Sequence, residues 1–246
     1  MNSNQHFIFV PGSFHGAWCW FKMQPLLSQN GNISQAIDLP AHGLDSTPIA
    51  EITLDSYVNV VCEEIEKATS PVTLIGHSRA GIVISQVAER IPDKISKLVY
   101  LCAFFIPNGE PMVATALSDT NSILVNNLVF NESEGWHIPN FDSYKPALYN
   151  DCSEEDVALC SSLLTHEPNL PVATPLDLTS EKYGAVQKVY IFTTNDNAIT
   201  HSAQKKMVSR QKVDETFELN AGHSPFLSQP HHLAQILLNL NNKQEM

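Results

Sequence analysis

The clearest chemical signal in this sequence is a serine within a short run of small residues. Ser78 stands in the run GHSRAG, at residues 76–81, between an apolar segment that predicts a strand and a segment that predicts a helix. A serine hydroxyl is a weak nucleophile and must be held exposed beside a base. A tight turn from strand to helix holds it in this way, and the turn needs small neighbours such as Gly76 and Ala80. The run therefore predicts Ser78 as a nucleophile.

A general base is expected on a loop after the last strand. His223, in the run NAGHSP, follows the last predicted strand and precedes the closing helix. The competing histidines His201, His231 and His232 fall in or beside predicted helices. His223 is therefore the predicted base, because a loop position lets an imidazole reach the serine hydroxyl.

An acid that orients the base is expected at the end of a strand between Ser78 and His223. Asp196 directly follows the predicted strand QKVYIFT and gives the chain order Ser, Asp, His. The rival acid is Glu110, which follows the preceding predicted strand. The predicted catalytic triad is Ser78, Asp196 and His223.

The loop after the first strand, VPGSFHG at residues 10–16, predicts part of an oxyanion hole. Its glycines allow the backbone to approach a bound carbonyl closely, and we assign the backbone N–H groups of Ser13 and Arg79 to the hole. His15 is interpreted as a structural, hydrogen-bonding residue of this loop. Because an arginine in the first turn of a helix opposes the helix dipole, the side chain of Arg79 is expected to have an acidic partner. The alternative is that it faces the mouth of the pocket.

The elements that must position these residues alternate between strands and helices. Strands are predicted at 6–10, 33–39, 72–75, 97–105, 187–193 and 216–219, and helices at 17–29, 53–68, 79–90, 201–209 and 230–240. This alternation predicts an α/β fold with a mostly parallel central sheet and helices on both faces. Residues 107–186 break the pattern. We therefore predict a core of residues 1–106 and 187–246 with an inserted helical cap at 107–186.

The composition of the chain argues against several classes of function. The formal charge of −12 argues against a nucleic-acid partner and against binding to an anionic membrane surface. The N-terminus lacks a basic region followed by a long apolar run, so no signal peptide is expected, and no apolar run is long enough to span a bilayer. The five cysteines show no CxxC spacing, so neither a disulfide framework nor a metal site is expected. A cytoplasmic location is the simplest expectation.

Stretches spread over the whole chain carry a resemblance to a known group. They are VPGSFHGAWCW, DLPAHG, GHSRAG, LYNDCSEEDVALCSSLL, VYIFTTNDNAI and NAGHSPF. Together they resemble the methylesterase and hydroxynitrile lyase group of the α/β-hydrolases, which includes plant methyl salicylate esterases and is similar to bacterial esterases. The resemblance implies the α/β-hydrolase fold, the same triad of Ser78, Asp196 and His223, a small and mostly apolar pocket under the cap, no cofactor, and a possible homodimer.

The chain also departs from the pattern of this group. The position after the nucleophile is often Leu or Met in the group, whereas this chain has Arg79. The lyase branch carries a threonine in the oxyanion loop and a lysine after the catalytic histidine, where this chain has Gly12 and Ser224. A cyanohydrin lyase is therefore not expected.

The expected function is a serine carboxylesterase that acts on small, largely apolar carboxylic esters through an acyl-enzyme. Four aromatic residues are candidate pocket walls: Phe14, Phe104, Trp136 and Phe226. A carbon–carbon bond hydrolase, a thioesterase or a lactonase could use the same triad. The alternative from another class is a ligand-binding protein on this fold that turns nothing over.

Overall fold

The computed structural model describes residues 5–240, and its centre is a parallel β-sheet. In chain order the strands are β1 (His6–Val10), β2 (Ile33–Ala36), β3 (Val72–His77), β4 (Ile95–Leu101), β5 (Leu128–Asn131), β6 (Trp136–Pro139), β7 (Glu167–Pro168), β8 (Lys188–Thr193) and β9 (Glu215–Leu219). The central sheet has six strands in the order β2-β1-β3-β4-β8-β9, and every neighbouring pair is parallel. The predicted α/β-hydrolase architecture is confirmed.

Helices cover both faces of this sheet and bury its apolar strands. In chain order the helices of the described residues are α1 (Met23–Ser28), α2 (Leu54–Glu66), α3 (Ala80–Arg90), α4 (Met112–Ser118), α5 (Glu154–Ser161), α6 (Asn169–Ala173), α7 (His201–Val208), α8 (Pro225–Ser228) and α9 (Pro230–Asn239), of which α4, α5 and α6 lie in the segment between β4 and β8. Strands β3 and β8 are buried along their whole length, as expected for a parallel sheet covered on both sides. Two apolar clusters, one on each side of the sheet, form the core.

Helix α2 illustrates how local sequence sets these elements. Thr53 caps its N-terminus and accepts a hydrogen bond from the N–H of Ser56, and the Ser56 side chain in turn accepts the N–H of Thr53. This reciprocal capping satisfies two backbone donors that the helix cannot pair internally. Leu54, Val58 and Val61 then fall on the buried face predicted from their spacing.

The sheet positions the site because all six strands are parallel. Ser13 follows β1, Ser78 follows β3, Asp196 follows β8 and His223 follows β9. The carboxyl ends of parallel strands meet at the same edge of a sheet, which is where ligands bind in open α/β folds. Four distant segments of sequence therefore converge on this edge.

The segment between β4 and β8 differs from the helical cap expected from the sequence. It contains α4, α5 and α6, and it also contains an antiparallel sheet in the order β5-β6-β7. These strands have only two to four residues, so they are too short to produce a recognisable alternation. The turn between β5 and β6 carries Gly135 at a φ of 74°, a conformation that glycine favours.

Most of the predicted helix and strand boundaries lie within a few residues of the observed ones. The largest differences are in β4, predicted at 97–105 and observed at Ile95–Leu101, in β2, which ends at Ala36, and in the predicted helix at 17–29, which divides into a short 3-10 turn and α1. Among the described residues, no helix is both long enough and apolar enough to cross a membrane.

Candidate active site

Ser78 stands at a strained turn between β3 and α3. Its φ is 53°, in the left-handed region that costs a residue with a side chain of the order of 1–3 kcal/mol. The surrounding backbone holds it there, because the Ser78 carbonyl accepts the N–H groups of Gly81 (3.1 Å) and Phe104 (3.0 Å). A Cβ atom on Gly76 would lie 2.9 Å from the Ala80 carbonyl oxygen. The turn therefore requires glycine at position 76, as the sequence predicted.

The loop after β1 lies directly against the nucleophile. A Cβ atom on Gly12 would be 2.8 Å from the Ser78 Cβ and 2.8 Å from Nδ1 of His77. Glycine thus lets the backbone of residues 12 and 13 approach Ser78 more closely than any other residue would permit. This approach is what an oxyanion donor in the loop requires.

Asp196 and His223 form a buried hydrogen-bonded pair. The His223 Nδ1 atom lies 2.8 Å from Asp196 Oδ2, and both side chains are at most 1% exposed. Because a carboxylate only accepts hydrogen bonds, Nδ1 carries the proton and Nε2 keeps its lone pair. An imidazole in this tautomer is able to accept the proton of a serine hydroxyl.

Both oxygens of the Asp196 carboxylate accept hydrogen bonds from the surrounding protein. Its Oδ1 accepts the backbone N–H groups of Ala198 (2.8 Å) and Ile199 (2.9 Å). Its Oδ2 accepts Thr193 Oγ1 at 2.9 Å and Gln204 Nε2 at 3.2 Å, besides His223. These four donors fix the orientation of the acid, and through it the tautomer and ring plane of His223.

Two backbone N–H groups are available to a developing oxyanion. Within the described residues, neither the Ser13 nor the Arg79 N–H has a hydrogen-bond partner. The Ser13 N–H belongs to the peptide that follows Gly12, and the Arg79 N–H starts the turn into α3. Free N–H groups beside a nucleophile are the usual donors of an oxyanion hole.

His15 fixes the geometry of the same loop. Its Nδ1 donates to the Ser13 carbonyl (2.7 Å), and its Nε2 accepts the Tyr149 hydroxyl (2.7 Å). Burial lowers the pKa of His15 to about 4, although the Ser13 hydrogen bond acts in the opposite direction. The ring is therefore neutral near pH 7, as this donor and acceptor pattern requires. The structural role expected for His15 agrees with these contacts.

Arg79 has the acidic partner that the sequence predicted, and that partner is Glu167 in β7. The Arg79 Nε atom lies 3.1 Å from Glu167 Oε1, and both side chains are completely buried. The guanidinium also donates from Nη2 to the Gly12 carbonyl at 3.2 Å and lies 4.6 Å from the centre of the Tyr57 ring. Since Arg79 is fully buried, it does not line a pocket mouth.

Glu167 joins several segments around the oxyanion loop. Its Oε2 accepts His42 Nε2 at 3.0 Å and the backbone N–H of Phe14 at 3.2 Å. Burial alone would raise the pKa of Glu167, but the charges of Arg79 and His42 outweigh burial and lower it to about 2. Glu167 is thus an anion at neutral pH, paired on one side with arginine and on the other with imidazole.

The loop that carries His223 is held from two sides. The His77 Nε2 donates to the His223 carbonyl at 2.8 Å, and the Gly222 N–H donates to Asp151 Oδ2 at 2.7 Å. Burial places the pKa of His77 well below its ordinary value, so His77 is neutral and donates from one nitrogen. Asp151 lies in the segment inserted after β4, so that segment supports the base as well as the oxyanion loop.

The four aromatic residues expected as pocket walls have different surroundings. Phe14 is buried beside the oxyanion loop, and the backbone of Phe104 bonds to Ser78. Phe226 packs in the core, 4.9 Å from the His77 ring and 4.6 Å from the Trp20 ring. Trp136 stacks on an exposed histidine and donates to an exposed glutamate in the inserted segment. Phe14 and Phe104 are thus the two of this set that adjoin the site.

The rival residues are engaged elsewhere. Glu110 forms a half-exposed ion pair with Arg210. His201 lies 3.6 Å from Glu218, and His231 and His232 are exposed on α9. The contacts of Asp196 and His223 with each other distinguish them from these alternatives.

Three buried side chains, one of which is the candidate base His223, are of the types that bind metal ions. Within residues 5–240, potential ligand atoms of His77, Cys102 and His223 lie within 4.8 Å of one another. Burial raises the pKa of the Cys102 thiol well above its ordinary value, which disfavours the thiolate that a metal would need. His77 and His223 are already committed to the hydrogen bonds described above. This group therefore fits a hydrogen-bonded acyl-transfer site better than a metal centre.

Three supporting residues were not identified from the sequence: Gln204, Glu167 and Asp151. Glu167 and Asp151 lie far in sequence from their partners, with 88 positions between Glu167 and Arg79 and 71 between Asp151 and Gly222. Gln204 is only eight positions from Asp196, but nothing in the helical spacing of α7 marks it as the partner of the acid. Only Arg79 gave a hint in the sequence. A cation at the N-terminus of a helix is expected to have an acidic partner, but the sequence did not indicate which acid it is.

Comparisons with known proteins show the family to which this chain belongs. A family profile described as "Alpha/beta hydrolase family" matches residues 7–236. Salicylic acid-binding protein 2 of Nicotiana tabacum is 32% identical over 262 residues, which cover 99% of this chain and 99% of that protein. A chloroplastic relative in the Arabidopsis thaliana methylesterase series is 34% identical over 96% of this chain, and this chain spans 63% of that relative's length.

A solved structure shows the same fold. The crystal structure of polyneuridine aldehyde esterase superposes with a TM-score of 0.88 at 27% sequence identity, covering 96% of this chain and 99% of that one. The similarity therefore includes the inserted segment as well as the central sheet.

Proposed function

The chain belongs to the alpha/beta hydrolase family and is a carboxylic ester hydrolase, and we propose that it hydrolyses small, largely apolar esters through an acyl-enzyme on Ser78. The observation that carries this proposal is the 2.8 Å bond between buried Asp196 and His223, at the strand edge where Ser78 sits in its strained turn. This is the arrangement that activates a serine hydroxyl in unrelated hydrolases.

In the proposed reaction, the Ser78 oxygen attacks the ester carbonyl while His223 Nε2 removes the hydroxyl proton. Asp196 holds the imidazole in the required tautomer and stabilises the imidazolium that forms. The proton then passes from His223 to the leaving alcohol, and the acyl group remains on Ser78. A water molecule, deprotonated by the same imidazole, releases the acid and restores the serine.

The tetrahedral oxyanion would be held by the N–H groups of Ser13 and Arg79. Neither group has another hydrogen-bond partner in the part of the chain that the structure describes, and Gly12 brings the loop against Ser78. Such donors lower the barrier because they are already oriented toward the charge that develops.

The burial of the site supports the proposal that the substrates are small and apolar. Ser78 is 5% exposed and His223 is 1% exposed, so a substrate held against these atoms is largely removed from water. The neighbouring Phe14 and Phe104 offer apolar surface to an acyl group. A charged acyl group would lose its hydration without gaining a partner.

The test is hydrolysis of p-nitrophenyl esters of increasing acyl length by the wild-type protein and by Ser78→Ala. We expect turnover of short acyl chains by the wild type and none above background by the variant. Loss of activity beyond a certain chain length would measure the size of the pocket. Equal activity of the two proteins would contradict the proposal.

Substrates of other bond types separate the neighbouring chemistries. A thioester, a lactone and a β-diketone should each react more slowly than the best ester at equal concentration. A faster β-diketone would identify a carbon–carbon bond hydrolase instead. Labelling of Ser78 by a fluorophosphonate, with no turnover of any of these substrates, would indicate a ligand-binding protein. The cytoplasmic location and the homodimer expected from the sequence remain predictions.

A further inference from the structure

We propose that the Arg79 side chain positions the oxyanion hole by holding the peptide between Gly12 and Ser13, with Glu167 as the anchor of the guanidinium. This inference rests on the proposed function and adds a positioning role to two residues outside the triad. Arg79 would then contribute to both donors of the hole. Its own backbone N–H is one donor, and its side chain orients the other, the Ser13 N–H.

The geometry of one peptide unit carries this inference. The Gly12 carbonyl and the Ser13 N–H belong to the same planar trans peptide, so they point in opposite directions. Arg79 Nη2 donates to the Gly12 carbonyl at 3.2 Å. A cation bound to the carbonyl end fixes the plane of this peptide and makes its N–H a stronger donor. That N–H is the one assigned to the oxyanion.

Glu167 fixes the peptide that follows. Its Oε2 accepts the Phe14 N–H at 3.2 Å, while the Phe14 carbonyl accepts the N–H of Thr165 at 2.9 Å. Phe14 itself adopts a φ of 69°, so the loop is held in a conformation that it would not keep unaided. The Phe14 N–H is thereby occupied, and the Ser13 N–H remains free for a substrate.

The burial of the ion pair favours a functional role. Arg79 and Glu167 are both completely buried, and burying two charges costs about as much free energy as their attraction returns. The ion pair therefore adds little to the stability of the fold. Its location against the oxyanion loop, residues 10–16, gives it a role in positioning that loop. A leucine or methionine after the nucleophile could pack in the same place but could not bind the Gly12 carbonyl.

The test compares Arg79→Met with the double variant Arg79→Met, Glu167→Gln. The single variant removes the arginine cation and leaves the buried Glu167 carboxylate with His42 as its remaining partner, so its melting temperature should fall. In the double variant the buried carboxylate is gone as well, and the glutamine can still accept the Phe14 N–H. Its melting temperature should therefore return toward that of the wild type.

The kinetic constants separate positioning from stability. In the double variant we expect kcat for p-nitrophenyl acetate to stay about 10- to 100-fold below the wild type, which is less than the ~10²–10³-fold cost of deleting an oxyanion donor. KM should change little, because the lost interaction acts in the transition state. Arg90→Met, which removes an exposed arginine from the same helix, should leave kcat unchanged. Recovery of kcat together with the melting temperature would overturn the inference.

A second readout does not depend on ester turnover. Phosphonylation of Ser78 by a fluorophosphonate also places a charged oxygen in the hole, so its second-order rate constant should fall in parallel with kcat. If the wild type is labelled but hydrolyses no ester, the proposed function fails while the labelling rates still test Arg79. Equal labelling rates in wild type and double variant would overturn the positioning role.

Discussion

Gln204 Nε2 lies 3.2 Å from Asp196 Oδ2, the same oxygen that receives the proton-bearing nitrogen of His223. Gln204 is completely buried, and its Oε1 accepts the Thr193 N–H at 3.1 Å. One glutamine on α7 thus ties the end of β8 to Asp196, the proposed catalytic acid. The orientation of the proposed triad consequently depends on a residue that, within residues 5–240, has no hydrogen bond to Ser78 or His223.

Replacing this glutamine should impair both activity and stability. In Gln204→Leu we expect kcat to fall about tenfold, equivalent to ~1.4 kcal/mol, because Asp196 loses one of the bonds that orient it. The free energy of unfolding should fall by about 1–3 kcal/mol, because the Thr193 N–H is left buried without an acceptor. Urea unfolding and steady-state kinetics measure the two effects. The exposed Gln29, changed to Leu, is the control; an unchanged kcat in the Gln204 variant would contradict this role.

The identity of the catalytic acid can be tested against its rival. Asp196→Asn should lower kcat by about 10⁴-fold, because an amide N–H facing Nδ1 stabilises the wrong imidazole tautomer. Glu110→Gln, which alters only a half-exposed ion pair, should leave kcat near the wild-type value. Steady-state kinetics on one short ester suffices for both variants. A larger loss in the Glu110 variant would show that the acid is misassigned.

The oxyanion loop offers a matched pair of substitutions. Ser13→Ala should retain activity, since the backbone N–H and not the hydroxyl is assigned to the oxyanion. Gly12→Ala should lower kcat by about 10²-fold or more, as in the loss of an oxyanion donor, because its methyl group would lie 2.8 Å from the Ser78 Cβ. Circular dichroism would check that both variants fold. Full activity in Gly12→Ala would contradict the placement of this loop.

Buried His15 should make the fold sensitive to acid. Burial lowers its pKa to about 4, whereas an unfolded histidine titrates near 6.5. The folded state therefore binds fewer protons between these values, and the stability from neutral His15 is complete above about pH 6.5. It should be lost progressively as the pH falls toward 4, by about 3 kcal/mol in total.

The measurement is urea unfolding at pH 7 and at pH 4.5. His15→Gln should lose less stability between the two pH values than the wild type does. The exposed His232, changed to Gln, should behave as the wild type. Equal losses in the wild type and the His15 variant would show that this group does not carry the effect.

Sequence reasoning was most informative where a local pattern determines the structure. The turn at Ser78 needs small residues at fixed spacing, and the strand before Asp196 is a short, mostly apolar run. The strand before His223, ETFEL, alternates between more and less exposed residues. Parallel pairing then brings these loops to one edge of the sheet. The order of elements in the core was therefore predictable.

The inserted segment and the supporting contacts were not predictable in the same way. Strands β5, β6 and β7 have only two to four residues each, so they leave no periodic signal. Contacts such as Glu167 with Arg79, or Asp151 with Gly222, depend on how distant segments pack together. A single sequence contains no local spacing that reports such a contact.

The most direct test of the central claim is the rate of ester hydrolysis by Ser78→Ala relative to the wild type. The nucleophile assignment predicts a loss of kcat of the order of 10⁶-fold, with the variant still folded and no longer labelled by a fluorophosphonate. A loss of only a few-fold, or continued labelling of the variant, would contradict the claim that Ser78 forms the acyl-enzyme.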